Sequence, residues 1–184
     1  MLTSRLGLAA AAVAGFTGSA LAFEISSPSV SDGNWDQKYI ADKAAGCDGQ
    51  NVSIALEWKD APAGTKSYML TMYDPDALGG GMGWWHWQVW NIPADATGLA
   101  EGAGSKTGKG LPKGAVQGKG DLGRTGYLGP CPPPGSGVHH YVITLYAMKE
   151  AKLETEGNAT PTMMTADAMR DSLAKATVTY TYSR

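Results

Sequence analysis

The residue pattern predicts a mostly β domain behind a short apolar leader, and three observations carry that prediction. Five runs are rich in β-branched and aromatic residues. Glycine and proline, 25 and 10 residues respectively, cluster between those runs as turn signals. Only one stretch late in the chain has convincing helical spacing.

Met1 to Ala22 holds one basic residue (Arg5), an apolar run from Leu6 to Phe16, and Ala20-Leu21-Ala22. That reads as an export signal cleaved after Ala22. A membrane anchor is the rival, but Gly7, Gly15 and Gly18 break a run already shorter than the roughly 20 apolar residues a span requires. Residues 23–184 are then one domain, exported to a periplasmic or extracellular compartment, with no stable membrane insertion expected after cleavage.

Strands are expected at Val52 to Trp58, Tyr68 to Tyr73, His86 to Ile92, Tyr141 to Met148 and Thr177 to Tyr182. Turns fall at Ala61 to Gly64, Gly79 to Gly81 and Pro93 to Asp95. The stretch from Gly98 to Gly137 is too long for an idle connection, which implies a functional or internally packed loop. Thr162 or Thr165 can cap a helix that runs through Lys175.

Charge excludes little but points away from nucleic acid: 15 basic against 17 acidic residues give a net charge of −2. Lys106, Lys109, Lys113, Lys119 and Arg124 share one Gly-rich stretch, which reads as a solvated loop rather than a phosphate-steering rim. The two cysteines, Cys47 and Cys131, are expected to form a disulfide in an oxidising compartment. Closing so long a loop stabilises by on the order of 4 kcal/mol.

All three histidines lie near two strand ends. One apolar strand stops at Asp74-Pro75-Asp76, with His86 close behind. The other begins Val138-His139-His140-Tyr141, so alternation places His139 and Tyr141 on one face with Ile143, and His140 on the other. The same alternation groups His86 with Gln88 and Trp90, opposite Trp87. Trp84, Trp85, Trp87 and Trp90 crowd this region; most such rings pack a core, and Trp84 or Trp85 is the better candidate for a pocket wall, with Asp76 beside it.

Other motifs lack their context. Gly118 to Gly123 matches GxGxxG, yet no apolar strand precedes it and no helix pattern follows. Cys131 is flanked by prolines and has a disulfide partner in prospect, which argues against a thiol nucleophile. No GxSxG elbow exists. His86, His139 and a carboxylate at Asp74 or Asp76 would make a two-histidine, one-carboxylate metal set, but the spacing does not separate metal ligation from a hydrogen-bonded anion site.

In order along the chain stand Cys47-Asp48-Gly49-Gln50-Asn51-Val52-Ser53, Asp74-Pro75-Asp76-Ala77, His86-Trp87, Asn91-Ile92-Pro93-Ala94, Gly129-Pro130-Cys131-Pro132-Pro133, and His139-His140-Tyr141 with Thr144-Leu145-Tyr146-Ala147. Together they resemble the phosphatidylethanolamine-binding protein (PEBP) family, in its bacterial Raf kinase inhibitor-like branch. The resemblance runs from about Ile25 to the last strand. It implies an antiparallel two-sheet β fold with few short helices and a shallow anion pocket at one end. It also implies Asp74, His86, His139 and Tyr141 as pocket residues, with Gly129 and Pro130 as a pocket-lining turn. Leu78 stands where that family usually has a proline.

The expected chemistry follows from the donors. The imidazoles of His86 and His139, the Tyr141 hydroxyl and the Gly129-turn N–H groups can donate to phosphate oxygens, while Asp74 fixes a histidine tautomer. Phosphate or a phospho-headgroup should therefore bind more weakly as pH rises through about 6.5. The expected function is a non-enzymatic exported anion-binding protein, without cofactor or resident metal, that can also meet a protein partner. A phosphoester hydrolase or metal-dependent enzyme in the same pocket and a protease-inhibitor-like interaction protein are the alternatives.

Overall fold

A computed structural model of the protein describes residues 22–154 and 159–184. The proposed signal, apart from Ala22, lies outside the described residues. Among the described residues, eight strands form two sheets in which every pairing is antiparallel. β1 (Glu24–Ser26), β2 (Leu56–Lys59) and β5 (Gly98–Leu99) make a three-stranded sheet in the order β1-β2-β5. β3 (Ser67–Asp74), β4 (Trp84–Pro93), β6 (Val116–Gln117), β7 (His139–Met148) and β8 (Ser172–Tyr182) make a five-stranded sheet ordered β6-β4-β3-β7-β8. Short 3-10 turns occur at Gln37–Tyr39, Lys43–Ala45 and Ala77–Gly80, and one α-helix, α1, spans Pro161–Asp171.

The period of two along β3 and β7 divides the large sheet into two apolar faces. Tyr68, Leu70 and Met72 of β3, with Tyr141, Ile143 and Leu145 of β7, pack toward Ile25, Leu56 and Trp58 of the small sheet. Met69, Tyr146 and Met148 point the other way and, with Trp90, receive Met164 and Ala168 of α1. Met164 and Ala168 are four residues apart, so they lie on one side of the helix. Both faces of the central strand are consequently covered, which accounts for its nearly continuous apolar sequence.

Two expected boundaries move. The helix starts earlier, because the Thr160 hydroxyl accepts from the Met163 N–H and Pro161 occupies the first helical turn. It also ends at Asp171 rather than Lys175. Ser172 pairs with Met148, and residues 174–182 pair continuously with β7, so ladder formation overrides the helical propensity of Leu173 to Lys175. The Val52 to Trp58 run becomes strand only from Leu56; Val52 and Ala55 instead donate their N–H groups to the Lys38 carbonyl and the Ser29 hydroxyl.

A bulge in β4 decides the position of His86. Met72 pairs with Trp87, yet its neighbour Tyr73 pairs with Trp85, so His86 is an extra residue in the ladder. Strict alternation is broken there: His86 joins the cavity beside Tyr141 while Trp87 enters the core between the sheets. The expected grouping of His86 with Gln88 and Trp90 is thereby overturned.

Cys47 and Cys131 are disulfide-bonded, with their Cα atoms 5.9 Å apart. The bridge ties the early loops to the Pro130–Pro134 segment. The long 98–137 region is internally packed: Tyr127 and Gly129 are fixed by Gly104 and Asn51, and Leu128 lies against His86.

Candidate functional site

At one end of the large sheet, where β3 finishes and β4 and β7 begin, a cavity of ≈ 200 Å³ opens between the two histidine-bearing strands. Asp74, His86, His139 and Tyr141 form its polar part. Its walls are apolar, including Leu78, Trp84, Leu122, Leu128 and the disulfide-bonded Cys131 with Pro132 and Pro133.

Asp74 organises the floor. Its Oδ1 accepts from the backbone N–H groups of Asp76 (2.9 Å) and Ala77 (3.2 Å), so the Asp-Pro-Asp-Ala sequence folds back on the carboxylate. Its Oδ2 accepts from His139 Nδ1 at 2.7 Å. Both side chains are buried, at 3% and 4% exposure, and their separation makes this a strong charge-assisted contact when the ring is protonated. The other His139 nitrogen, Nε2, lies 3.0 Å from the Ser136 hydroxyl, which is also 2.8 Å from the Pro133 carbonyl. Both His139 nitrogens therefore have protein partners.

His86 is different. Its Nδ1–H donates to the Leu128 carbonyl at 2.9 Å, a partner that can only accept, so the proton of the neutral ring sits on Nδ1 and Nε2 carries a lone pair. Burial pulls the His86 pKa below the usual histidine value, against the opposing pull of the Leu128 carbonyl and the Asp74 charge. The ring meets Tyr141 edge-on with centroids 5.1 Å apart. Tyr141 is fully buried; its hydroxyl proton finds no acceptor among the described residues, while the Cys131 backbone N–H faces its oxygen. Burial, reinforced by the Asp74 charge, pushes its pKa well up, so it remains a neutral O–H donor.

Four expected site residues border the cavity without lining it. Gly129 and Pro130 are not among the lining residues: the Gly129 N–H donates to Asn51 Oδ1 at 2.8 Å and so is not offered to a ligand. Glycine is required there because a Cβ would lie 2.1 Å from the Tyr39 carbonyl oxygen. Asp76 holds the rim instead, its Oδ2 accepting from both the backbone N–H and Nδ1 of His140 at 2.8 Å. Trp85 faces outward and packs on Tyr73 with ring centroids 4.5 Å apart, leaving Trp84 as the tryptophan wall. Leu122 and Leu128 were not evident as cavity residues, and neither was Ser136 as a partner of His139 just outside the lining, since each is brought there by loop folding. Among the described residues there is no group of three or more His, Cys, Asp or Glu placed to hold a metal ion.

A two-sheet antiparallel domain with a polar-floored, apolar-walled cavity at one end of its larger sheet defines a pocket-bearing β protein. The chain belongs to the phosphatidylethanolamine-binding protein family, whose model matches residues 27–183. It is 40% identical over 167 residues to the UPF0098 protein YbcL of Escherichia coli, covering 91% of each chain. It is 43% identical over 138 residues to YbhB of the same organism, covering 75% of this chain and 85% of that one. The crystal structure of E. coli YbcL, described as a new member of the mammalian PEBP family, superposes with a TM-score of 0.82 at 39% identity, covering 88% of this chain and 98% of YbcL. CT736 of Chlamydia trachomatis is similar at a TM-score of 0.70 and 30% identity, covering 89% and 98%.

Proposed function

We propose that this chain is an exported, non-enzymatic protein that binds a small phosphate-type anion in the cavity between Asp74, His86, His139 and Tyr141. The observation that carries the reading is the Tyr141 hydroxyl, fully buried in the cavity lining with no acceptor for its proton among the described residues. An unsatisfied buried hydroxyl costs about 1 to 3 kcal/mol, which a guest oxygen would recover. The name of the family, phosphatidylethanolamine-binding protein, is consistent with a phosphate-bearing guest.

The non-enzymatic reading is supported by the lining itself. It contains no serine, threonine or lysine and its cysteine is disulfide-bonded; Ser136, which stands outside the lining but in line with His139 and Asp74, has its hydroxyl donated to the Pro133 carbonyl rather than held for attack. Export is supported by the Met1 to Ala22 sequence and by the disulfide. A protein partner is accommodated by exposed Leu78, Met82 and Val138 near the cavity end. The chain carries no net positive charge, which favours neither duplex nor single-stranded nucleic acid as a partner.

The test is calorimetry with phenyl phosphate on the mature chain and on Tyr141→Phe. Saturable binding that weakens at least tenfold in the variant is expected. Equal binding by the two proteins, or none by either, would remove the site assignment.

A further inference from the structure

The Gly-rich stretch that follows β5 carries charge of one sign. From Gly102 to Gly120 it holds four lysines, Lys106, Lys109, Lys113 and Lys119, and no acidic residue, in a chain whose net charge is −2. All four are exposed, and none forms an ion pair among the described residues. The acids that flank the stretch are already engaged: Glu101 by Lys38 and the Tyr39 hydroxyl, Asp121 by the Trp85 N–H. Glu57 and Asp95 share a shallow groove with Lys113 and leave its ammonium group unpaired.

Backbone geometry orders three of these cations. Gly108 donates its N–H to the Ser105 carbonyl, Leu111 to Gly108 and Ala115 to Pro112, at 2.8, 3.0 and 3.0 Å, which closes three successive β-turns. Lys106, Lys109 and Lys113 each hold the second position of one turn. Glycine is needed at two points in this arrangement. Gly114, third in the last turn, has a φ of +92°, as a type II turn demands, and a Cβ on Gly110 would lie 2.9 Å from the Ala103 Cα. Gly102 and Gly104 fasten the stretch to the domain by donating to the Ser53 carbonyl and hydroxyl, while Leu111 and Ala115 pack against the core. A charge run that composition assigns to a solvated loop therefore stands on an ordered scaffold.

We infer that the turn corners bearing Lys106, Lys109 and Lys113 form a docking surface for an anionic polysaccharide. Three and four residues separate successive corners, so their Cα atoms are at most about 11 and 14 Å apart. Their fields overlap where the screening length is about 8 to 10 Å. A flexible chain with an acidic group on successive sugars can follow such corners, and an already ordered backbone lowers the entropy lost on binding. Charge is all that the surface offers. Residues 98–126 contain no aromatic ring on which bases could stack. Leu111 and Ala115 are turned into the core, which leaves a bilayer little besides Val116 to hold. None of the lysines lines the cavity described above, so this surface is separate from it and does not depend on the anion reading.

Dextran sulfate, with uncharged dextran as its control, is the probe. Calorimetry on the mature chain at about 0.15 M ionic strength is expected to show saturable dextran sulfate binding and no dextran binding, with affinity at least tenfold weaker at about 1 M, where the screening length is about 3 Å. The triple variant Lys106→Gln, Lys109→Gln, Lys113→Gln should weaken dextran sulfate binding at least tenfold. An equal loss of charge elsewhere, Lys59→Gln, Lys152→Gln, Lys175→Gln, should change it less than twofold. All six side chains are exposed, so both variants should melt with the wild type.

Absence of dextran sulfate binding, a turn variant within threefold of the wild type, or a control variant that loses as much as the turn variant would overturn the inference. Tighter binding of a DNA duplex or of phosphatidylglycerol vesicles than of dextran sulfate, lost in the turn variant, would overturn it too, because the surface would then serve a nucleic acid or a membrane.

Discussion

The two faces of β3 and β7 use alternate residues of the same strands for opposite purposes. Toward α1, Met69, Tyr146 and Met148 close an apolar cluster with Met164 and Ala168. Toward the small sheet, the same strands begin with apolar residues and end in Asp74, His139 and Tyr141. The difference is one of chemistry. The α1 face closes on a hydrophobic cluster, whereas the cavity face sets Asp74, His86, His139 and the buried Tyr141 hydroxyl around a space that something outside the chain can enter.

The largest expected effect is on the cavity floor. Asp74→Ala removes the acceptor for His139 and for two backbone N–H groups, and should cost about 3 to 5 kcal/mol in urea unfolding as well as abolish phenyl phosphate binding. Breaking the other face sharpens the contrast: Met148→Ala, fully buried under α1, should cost about 2 to 5 kcal/mol with affinity unchanged within twofold. A large affinity loss in Met148→Ala would show that the faces are not independent.

Smaller effects test the incomplete side. Tyr141→Phe deletes a hydroxyl whose proton has no internal acceptor, so unfolding should show unchanged stability or a gain of about 1 kcal/mol while binding falls. A clear loss of stability would mean the hydroxyl is satisfied within the fold. The smallest effect is on pH dependence. His86 has a depressed pKa in the folded chain, so the unfolded state takes up its proton first; this contribution is fully present above about 6.5 and declines as pH falls toward the folded value. Melting temperature should drop from pH 7 to pH 5, and His86→Gln should drop less.

Much of this was legible from residues alone, for identifiable reasons. Strong alternation and β-branched content exposed β3, β7 and the later part of β8, and proline after Asp74 marked where the carboxylate would sit. Parity correctly joined His139 with Tyr141. It failed for His86, because a bulge inserts one residue into the ladder and nothing in Trp84 to Trp90 signals it locally. Gly129 and Pro130 were associated with the pocket, but the reason for glycine is the close approach of the Tyr39 carbonyl, a contact between distant loops. The helix end was misplaced for a similar reason: propensity is local, and the pairing of β8 with β7 is not. Two-residue strands such as β5 and β6 are too short to leave a periodic trace.

Nitrogen-15 NMR of the histidine rings during a phenyl phosphate titration at pH 5.5 probes the central claim most directly. The account expects the His86 Nε2 resonance to move from a lone-pair value toward a hydrogen-bonded one, with the two His139 nitrogens shifting little. A response confined to His139, or no histidine response at saturating phenyl phosphate, would contradict it.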